Sequence, residues 1–151
     1  MRPIIDMIEI LAREINNRYN EREREKGDLK NITEWEDLPD TKKYSNVRAA
    51  RDIIAKLGLV NCTTEDNGTT PISSFTEQEI EILARFEHDQ WVAERIRTGW
   101  VYGPSKINEK KITPYLIPYD MLPEDVKDKD RDPGRDIIEL LDLIGLKVYR
   151  R

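Results

Sequence analysis

Trp35-Glu36-Asp37-Leu38-Pro39-Asp40 and Tyr119-Asp120-Met121-Leu122-Pro123-Glu124 are two versions of one pattern: an aromatic residue, two spacers, Leu-Pro and an acid. The match extends outward in both directions. Upstream, Leu11-Ala12-Arg13 is followed five residues later by Tyr19, and Leu83-Ala84-Arg85 by Trp91. Downstream, Arg51-Asp52-Ile53-Ile54 recurs as Arg135-Asp136-Ile137-Ile138, at the same distance from the Leu-Pro pair. Each copy then reaches a glycine, Gly58 or Gly145. A duplicated unit cannot easily bury its apolar face alone, so two copies are expected to pack on each other. The expected fold is mainly α with minor β. Two pseudo-symmetric helix-loop-helix halves share a core, with residues 1–60 as the first half, 61–75 as a linker and 76–151 as the second half.

Apolar spacing of three and four residues predicts a helix from 3 to about 25, with Ile4, Ile8, Leu11 and Ile15 on its stripe, Pro3 in its first turn and Gly27 as its stop. A second helix is predicted from a cap at Ser45 or Asn46, with Val47, Ala50, Ile53, Ile54 and Leu57 inward and Gly58 as its C-terminal glycine. Thr76 and Glu79 predict a capping box at the start of a third helix that runs to Gly99. A last helix is expected to begin near Pro133 and end at Gly145. The stretch Val126–Asp132 reads as too charged for core.

The copies differ in one place. Between the matched blocks the second copy carries twelve extra residues, in a segment rich in Gly, Pro and aromatics that runs from Gly99-Trp100-Val101-Tyr102-Gly103-Pro104 to Pro118. Asn108-Glu109 reads as a turn between short extended segments or a small hairpin. What one copy has and the other lacks is where function is expected.

Bulk properties narrow the classes. A net charge of -5 argues against a nucleic-acid binder or an anionic-membrane binder, both of which need clustered Lys and Arg. No apolar run approaches the ~18 residues of a membrane span, and the first residues lack a signal-peptide pattern. One cysteine, Cys62, and one histidine, His88, exclude an internal disulfide, make a structural zinc site untenable and fit a reducing cytoplasm. No metal and no cofactor are expected. Cys62 has no histidine near it in sequence, and no motif supplies a positioned acid, base and nucleophile, so an enzyme is not expected.

The second copy closely resembles the ryanodine-receptor repeat, the RyR domain. The residues that carry the resemblance are Glu87-His88-x-x-Trp91, Arg95, Gly99-Trp100-x-Tyr102-Gly103, Lys111, Pro114-x-Leu116, Pro118-Tyr119, Leu122, Leu140 and Gly145. The first copy is similar to shorter prokaryotic relatives through Tyr19, Trp35, Leu38-Pro39 and Ser45-Asn46. The resemblance implies a mainly helical module with small β segments and a cytoplasmic signalling role. It also implies a small, nucleotide-derived ligand. In animal calcium-release channels such repeats lie outside the pore. Two departures are plain: Thr113-Pro114 stands where His-Pro is frequent, and Lys106-Ile107 where a basic-acidic pair is frequent.

The candidate ligand-binding residues are His88, Trp91, Arg95, Trp100, Tyr102, Lys106, Lys111, Tyr115 and Tyr119. His88, Trp91 and Arg95 fall on one helix stripe with Ala84. Aromatics interleaved with Gly and Pro can stack on a planar ligand, and Arg95, Lys106 and Lys111 can neutralise a phosphate. Against this stands a structural reading: His88 bonds to backbone in the insertion, and Trp91 and Trp100 anchor a core. The alternative function is a protein–protein interaction or scaffold module with no small-molecule ligand.

Overall fold

The periodic apolar residues of the N-terminal segment form α1, Ile4–Lys26, in a computed structural model that describes the backbone of residues 4–151 and side chains from residue 6. The expectations for Pro3 and for the Ile4 side chain lie outside the described residues. Leu11 and Ala12 are buried on α1. Gly27 ends the helix at φ +78°, a left-handed backbone that a Cβ would penalise.

Helix α2 spans Asp40–Leu59 and so starts a full turn before the predicted cap at Ser45 or Asn46. Pro39 precedes it in an extended conformation, and its carbonyl accepts from the amides of Lys42 and Lys43. The helix needs nothing further to start, so Ser45 turns its hydroxyl to the Thr41 carbonyl inside the helix. Ala50, Ile53 and Leu57 face inward as expected, but Ile54 is exposed. Gly58 is still helical. The left-handed residue after the helix is Asn61, φ +56°, which stands where Gly145, φ +80°, stands in the second copy.

The chain forms two compact units, one made of residues up to Ser73 together with Ile138–Arg151, the other of Ser74–Ile137. In the first, strand β1, Cys62–Thr63, pairs antiparallel with strand β4, Tyr149–Arg150. Asn67 donates from Nδ2 to the Arg150 carbonyl and the Ile72 amide to the Val148 carbonyl, so the polar stretch after β1 lies along the C-terminal segment.

In the second unit, α3, Glu77–Arg97, opens with the reciprocal Thr76–Glu79 capping box. Gly99, φ +94°, closes it. The insertion then forms β2, Val101–Tyr102, and β3, Ile112–Thr113, which pair in parallel rather than as a hairpin. The tight reversal lies between Ile107 and Ile112, which bridge antiparallel across the 3-10 turn Asn108–Lys110. A further 3-10 turn, Tyr119–Met121, leads to α4, Glu124–Leu143.

Helix α4 overturns the expected start near Pro133, which lies inside it. Its inward stripe is Val126, Asp130, Gly134, Ile137 and Leu141, a helical spacing hidden by an acid and a glycine. Val126 packs on the cluster of Ala84, Tyr119 and Leu122, so the charged stretch does contribute to core. Gly134 lets α4 approach α3 closely, since a Cβ there would sit 3.0 Å from Leu83 Cβ.

The duplication is visible element by element. Each copy has a long helix ended by a left-handed glycine, a 3-10 turn at its aromatic residue, and a second helix that starts just after Leu-Pro.

Candidate functional site

Trp35 and Tyr119 are the buried centres of their repeats, and each is gripped the same way. Arg13 lies over the Trp35 ring at 5.4 Å and bonds Glu36, while Arg85 lies over the Tyr119 ring at 5.1 Å and bonds Asp120. Lys43 and Lys127 approach the same rings from α2 and α4, at 5.9 and 5.4 Å. Tyr119 also donates its hydroxyl to Glu81 Oε2 at 2.8 Å, and Arg131 holds the other oxygen of that carboxylate. Burial and then the Glu81 bond push the Tyr119 phenol up to about 12. The phenol is a neutral structural donor, and Tyr115 packs against the same cluster.

His88 is only 2% exposed. Its Nε2 contacts the Ile117 carbonyl of the insertion at 2.6 Å, and its Nδ1 stands 3.4 Å from Asp130 Oδ2 on α4. The ring is tilted against Tyr119 at 6.3 Å and stacks on Trp91 at 5.8 Å with an interplanar angle of 17°. From Trp91 the stack continues outward. The Arg95 guanidinium lies 5.2 Å from the Trp91 ring and 5.1 Å from the Trp100 ring. His88, Trp91, Arg95 and Trp100 therefore form one ladder, from a buried imidazole to a half-buried indole at the start of the insertion.

The remaining predicted residues separate. Tyr102 is 62% exposed and lies on β2. Lys106 is exposed in the loop that follows. Lys111 is committed: its ammonium donates to the Thr98 carbonyl at 2.8 Å, at the C-terminal end of α3, where a cation is favoured. Lys111 takes a left-handed backbone to do so, φ +55°. The two glycines have different duties. Gly99 provides the helix stop, whereas Gly103 makes room, because a Cβ there would fall 2.2 Å from Ile112 Cγ2.

In the first copy the position of His88 is Asn16, whose Nδ2 donates to the Thr33 carbonyl at 3.0 Å, the counterpart of Ile117. The rest of the ladder is absent there. Tyr19, Glu23 and Asp28 occupy the places of Trp91, Arg95 and Trp100. The aromatic and basic ladder thus belongs to the second copy alone.

A profile of the RyR domain matches residues 66–150. The chain belongs to the RyR domain family. The RyR match takes in α3, the insertion, α4 and β4, and so the whole ladder.

Sequence reasoning missed Asp130, which the charged run around it concealed and which occupies the position of Asn46 in the first copy. It also missed the Thr98 carbonyl, which carries no side-chain signal. An open groove of about 420 Å³ lies in the other compact unit, floored by Ile72, Ile138, Leu146 and Val148, and contains none of the predicted residues. Among the described residues, no three His, Cys, Asp or Glu side chains cluster as a metal site would require. No helix among them is long and apolar enough to cross a membrane.

Proposed function

We propose that this RyR module is a non-catalytic binder of a small, planar, anionic ligand in cytoplasmic signalling, and that the ligand meets the outer end of the ladder at Arg95, Trp100 and Tyr102. Arg95 is the observation that carries the reading. Arg13, Arg85, Arg131 and Arg135 each have a carboxylate within ion-pair distance, whereas Arg95, among the described residues, has indoles instead. Indole stacking engages the flat face of a guanidinium and leaves its N–H edge to receive an oxyanion in bidentate fashion. Exposed Tyr102 offers a face for stacking, and Lys106 a second charge. His88, Tyr115 and Tyr119 serve from behind, holding α3 and the insertion together. The family resemblance adds the expectation that the ligand is nucleotide-derived.

The test is a thermal-shift scan of the purified chain against nucleotides, cyclic dinucleotides and ADP-ribose. A ligand present at about 100 times its dissociation constant adds ~2.7 kcal/mol of stability. Tyr102→Ala is expected to abolish the shift while unfolding much as wild type does, Arg95→Ala to abolish it with a loss of about 1–2 kcal/mol of its own stability from the two ring contacts, and Arg95→Lys to keep little of it. A shift that persists in both Ala variants places the site elsewhere.

A second reading, a docking surface for a protein, is favoured by one observation. Ile96, Val101 and Tyr102 are 60%, 55% and 62% exposed around β2, an unusual amount of apolar surface for so short a stretch. Ile96→Asp with Val101→Asp would abolish capture of such a partner and leave a small-molecule thermal shift intact.

A further inference from the structure

The end of α3 and the start of the insertion form an exposed tip on the second unit. Ile96 lies in the last turn of α3, and after the left-handed Gly99 the chain enters β2. Successive residues of a strand point to opposite faces. Val101, beside Ile112, therefore stands on one side of β2 and Tyr102, beside Thr113, on the other. Both side chains are more than half exposed, as is Ile96. The tip thus offers apolar surface on both sides of a strand only two residues long.

The charges around it are positive. Lys106 and Lys110 are exposed, and among the described residues neither has a carboxylate within ion-pair distance. Lys111 gives its ammonium to the Thr98 carbonyl, a neutral partner that leaves its charge in place. Arg97 is paired with Glu94. Between residues 95 and 111 the only acid is Glu109. The net charge of -5 that argues against an anionic membrane belongs to the whole chain and not to this tip. An apolar centre with cations around it fits an acidic protein or an anionic lipid surface, and two observations favour lipid. A protein seats against one side of a strand, whereas the boundary between headgroups and acyl chains surrounds whatever enters it. Lysine is depleted at protein interfaces, while its long apolar stem and charged head suit a lipid boundary.

We propose that this tip docks onto an anionic lipid surface, with Ile96, Val101 and Tyr102 entering the headgroup boundary and Lys106, Lys110 and Lys111 resting on the lipid anions. Three side chains and a few charges make a reversible attachment that lies on the surface rather than through it. The docking goes beyond the small-ligand reading and does not depend on it. The two share Tyr102, but the docking does not use Arg95, whose guanidinium is stacked on the two indoles.

The experiment is sedimentation of the full chain with vesicles of phosphatidylcholine alone, or with phosphatidylserine at about a third of the lipid. Binding is expected to the mixed vesicles only, and to weaken as salt rises. Lys106→Gln with Lys110→Gln is expected to weaken it about 25-fold, at about fivefold, or ~1 kcal/mol, per charge. Ile96→Ser with Val101→Ser is expected to weaken it at least about tenfold. All four side chains are exposed, so both variants are expected to unfold as wild type does, which thermal unfolding checks. In Tyr102→Trp, bromine-labelled lipid is expected to quench fluorescence beyond any quenching of Trp35, Trp91 and Trp100 in wild type. Failure to sediment with the mixed vesicles overturns the lipid assignment and leaves the tip to an acidic protein. Equal binding to both vesicles, binding that survives the Ile96 and Val101 changes, or an unquenched Tyr102→Trp overturns it as well. Arg95→Ala is expected to keep most of the vesicle binding while losing the small-ligand thermal shift, so failure of the docking and failure of the ligand site are read separately.

Discussion

At the residue scale, positions that look alike in sequence have different physical duties. Gly99 and Gly103 both read as turn glycines, yet only Gly99 uses a left-handed backbone. Gly103 is there because Ile112 fills the space a side chain would need. Gly103→Ala is expected to destabilise by about 1–3 kcal/mol through overpacking, and Gly103→Ala with Ile112→Ala to recover part of that loss, as read by urea unfolding. Lys111 was legible as a basic residue near the site, but not as one already engaged, because its partner is a backbone carbonyl that no residue letter signals. Lys111→Met is expected to cost about 0.3–1 kcal/mol at the end of α3 without changing what the site binds. His88 was legible because a lone histidine among aromatics stands out. Asp130 was not, because one acid among Asp125, Asp128 and Asp132 carries no distinguishing mark until the helix places it inward.

At the element scale, the helices with explicit end signals were readable and those with ambiguous ones were not. Thr76 and Glu79 announced the start of α3, and Thr76→Ala is expected to cost ~1 kcal/mol in thermal unfolding. The start of α4 was obscured by Pro133, since a proline usually marks a boundary. Here it stands in mid-helix, where it deprives the exposed Lys129 of a carbonyl partner. The corresponding residue of α2 is Ala49. Pro133→Ala is accordingly expected to raise stability, by up to about 3 kcal/mol if the new amide reaches the Lys129 carbonyl. The position of the repeats relative to Leu-Pro held the correct start all along: α2 and α4 both begin at the acid that follows Leu-Pro. In the insertion, glycines and aromatics suggested short strands, but their parallel pairing depends on a crossover too brief to be read from residue types.

At the scale of the whole molecule, charge is unevenly spread. The chain is acidic, yet between Arg95 and Lys111 five basic residues, Arg95, Arg97, Lys106, Lys110 and Lys111, stand against the single acid Glu109. An anionic ligand drawn to this region would bind more weakly as salt rises, because charges are screened beyond about 8 Å at physiological ionic strength. Isothermal titration across a sodium chloride series would measure it. Acidity acts through a second group of residues. Arginine partners hold Asp128 and Glu124 below the usual carboxylate range, and hold Glu81 there against the opposing effect of its burial. Their contribution is present above the unfolded carboxylate values and is lost as pH falls. Ligand-free stability is therefore expected to fall as pH drops through the carboxylate range, as thermal unfolding across that range would measure. The duplication itself was plain from the sequence. The division of the molecule was harder to see, because the C-terminal segment belongs with the first unit through two-residue strands that leave no periodic trace. That return has a mechanical consequence. The Arg151 amide donates to the Asn61 carbonyl at 3.0 Å, so everything between these residues is a closed excursion that leaves and rejoins the chain at one point. Tension applied across that point loads the β1–β4 hydrogen bonds end-on and peels them one at a time, like a seam, before any load reaches α3 or the insertion.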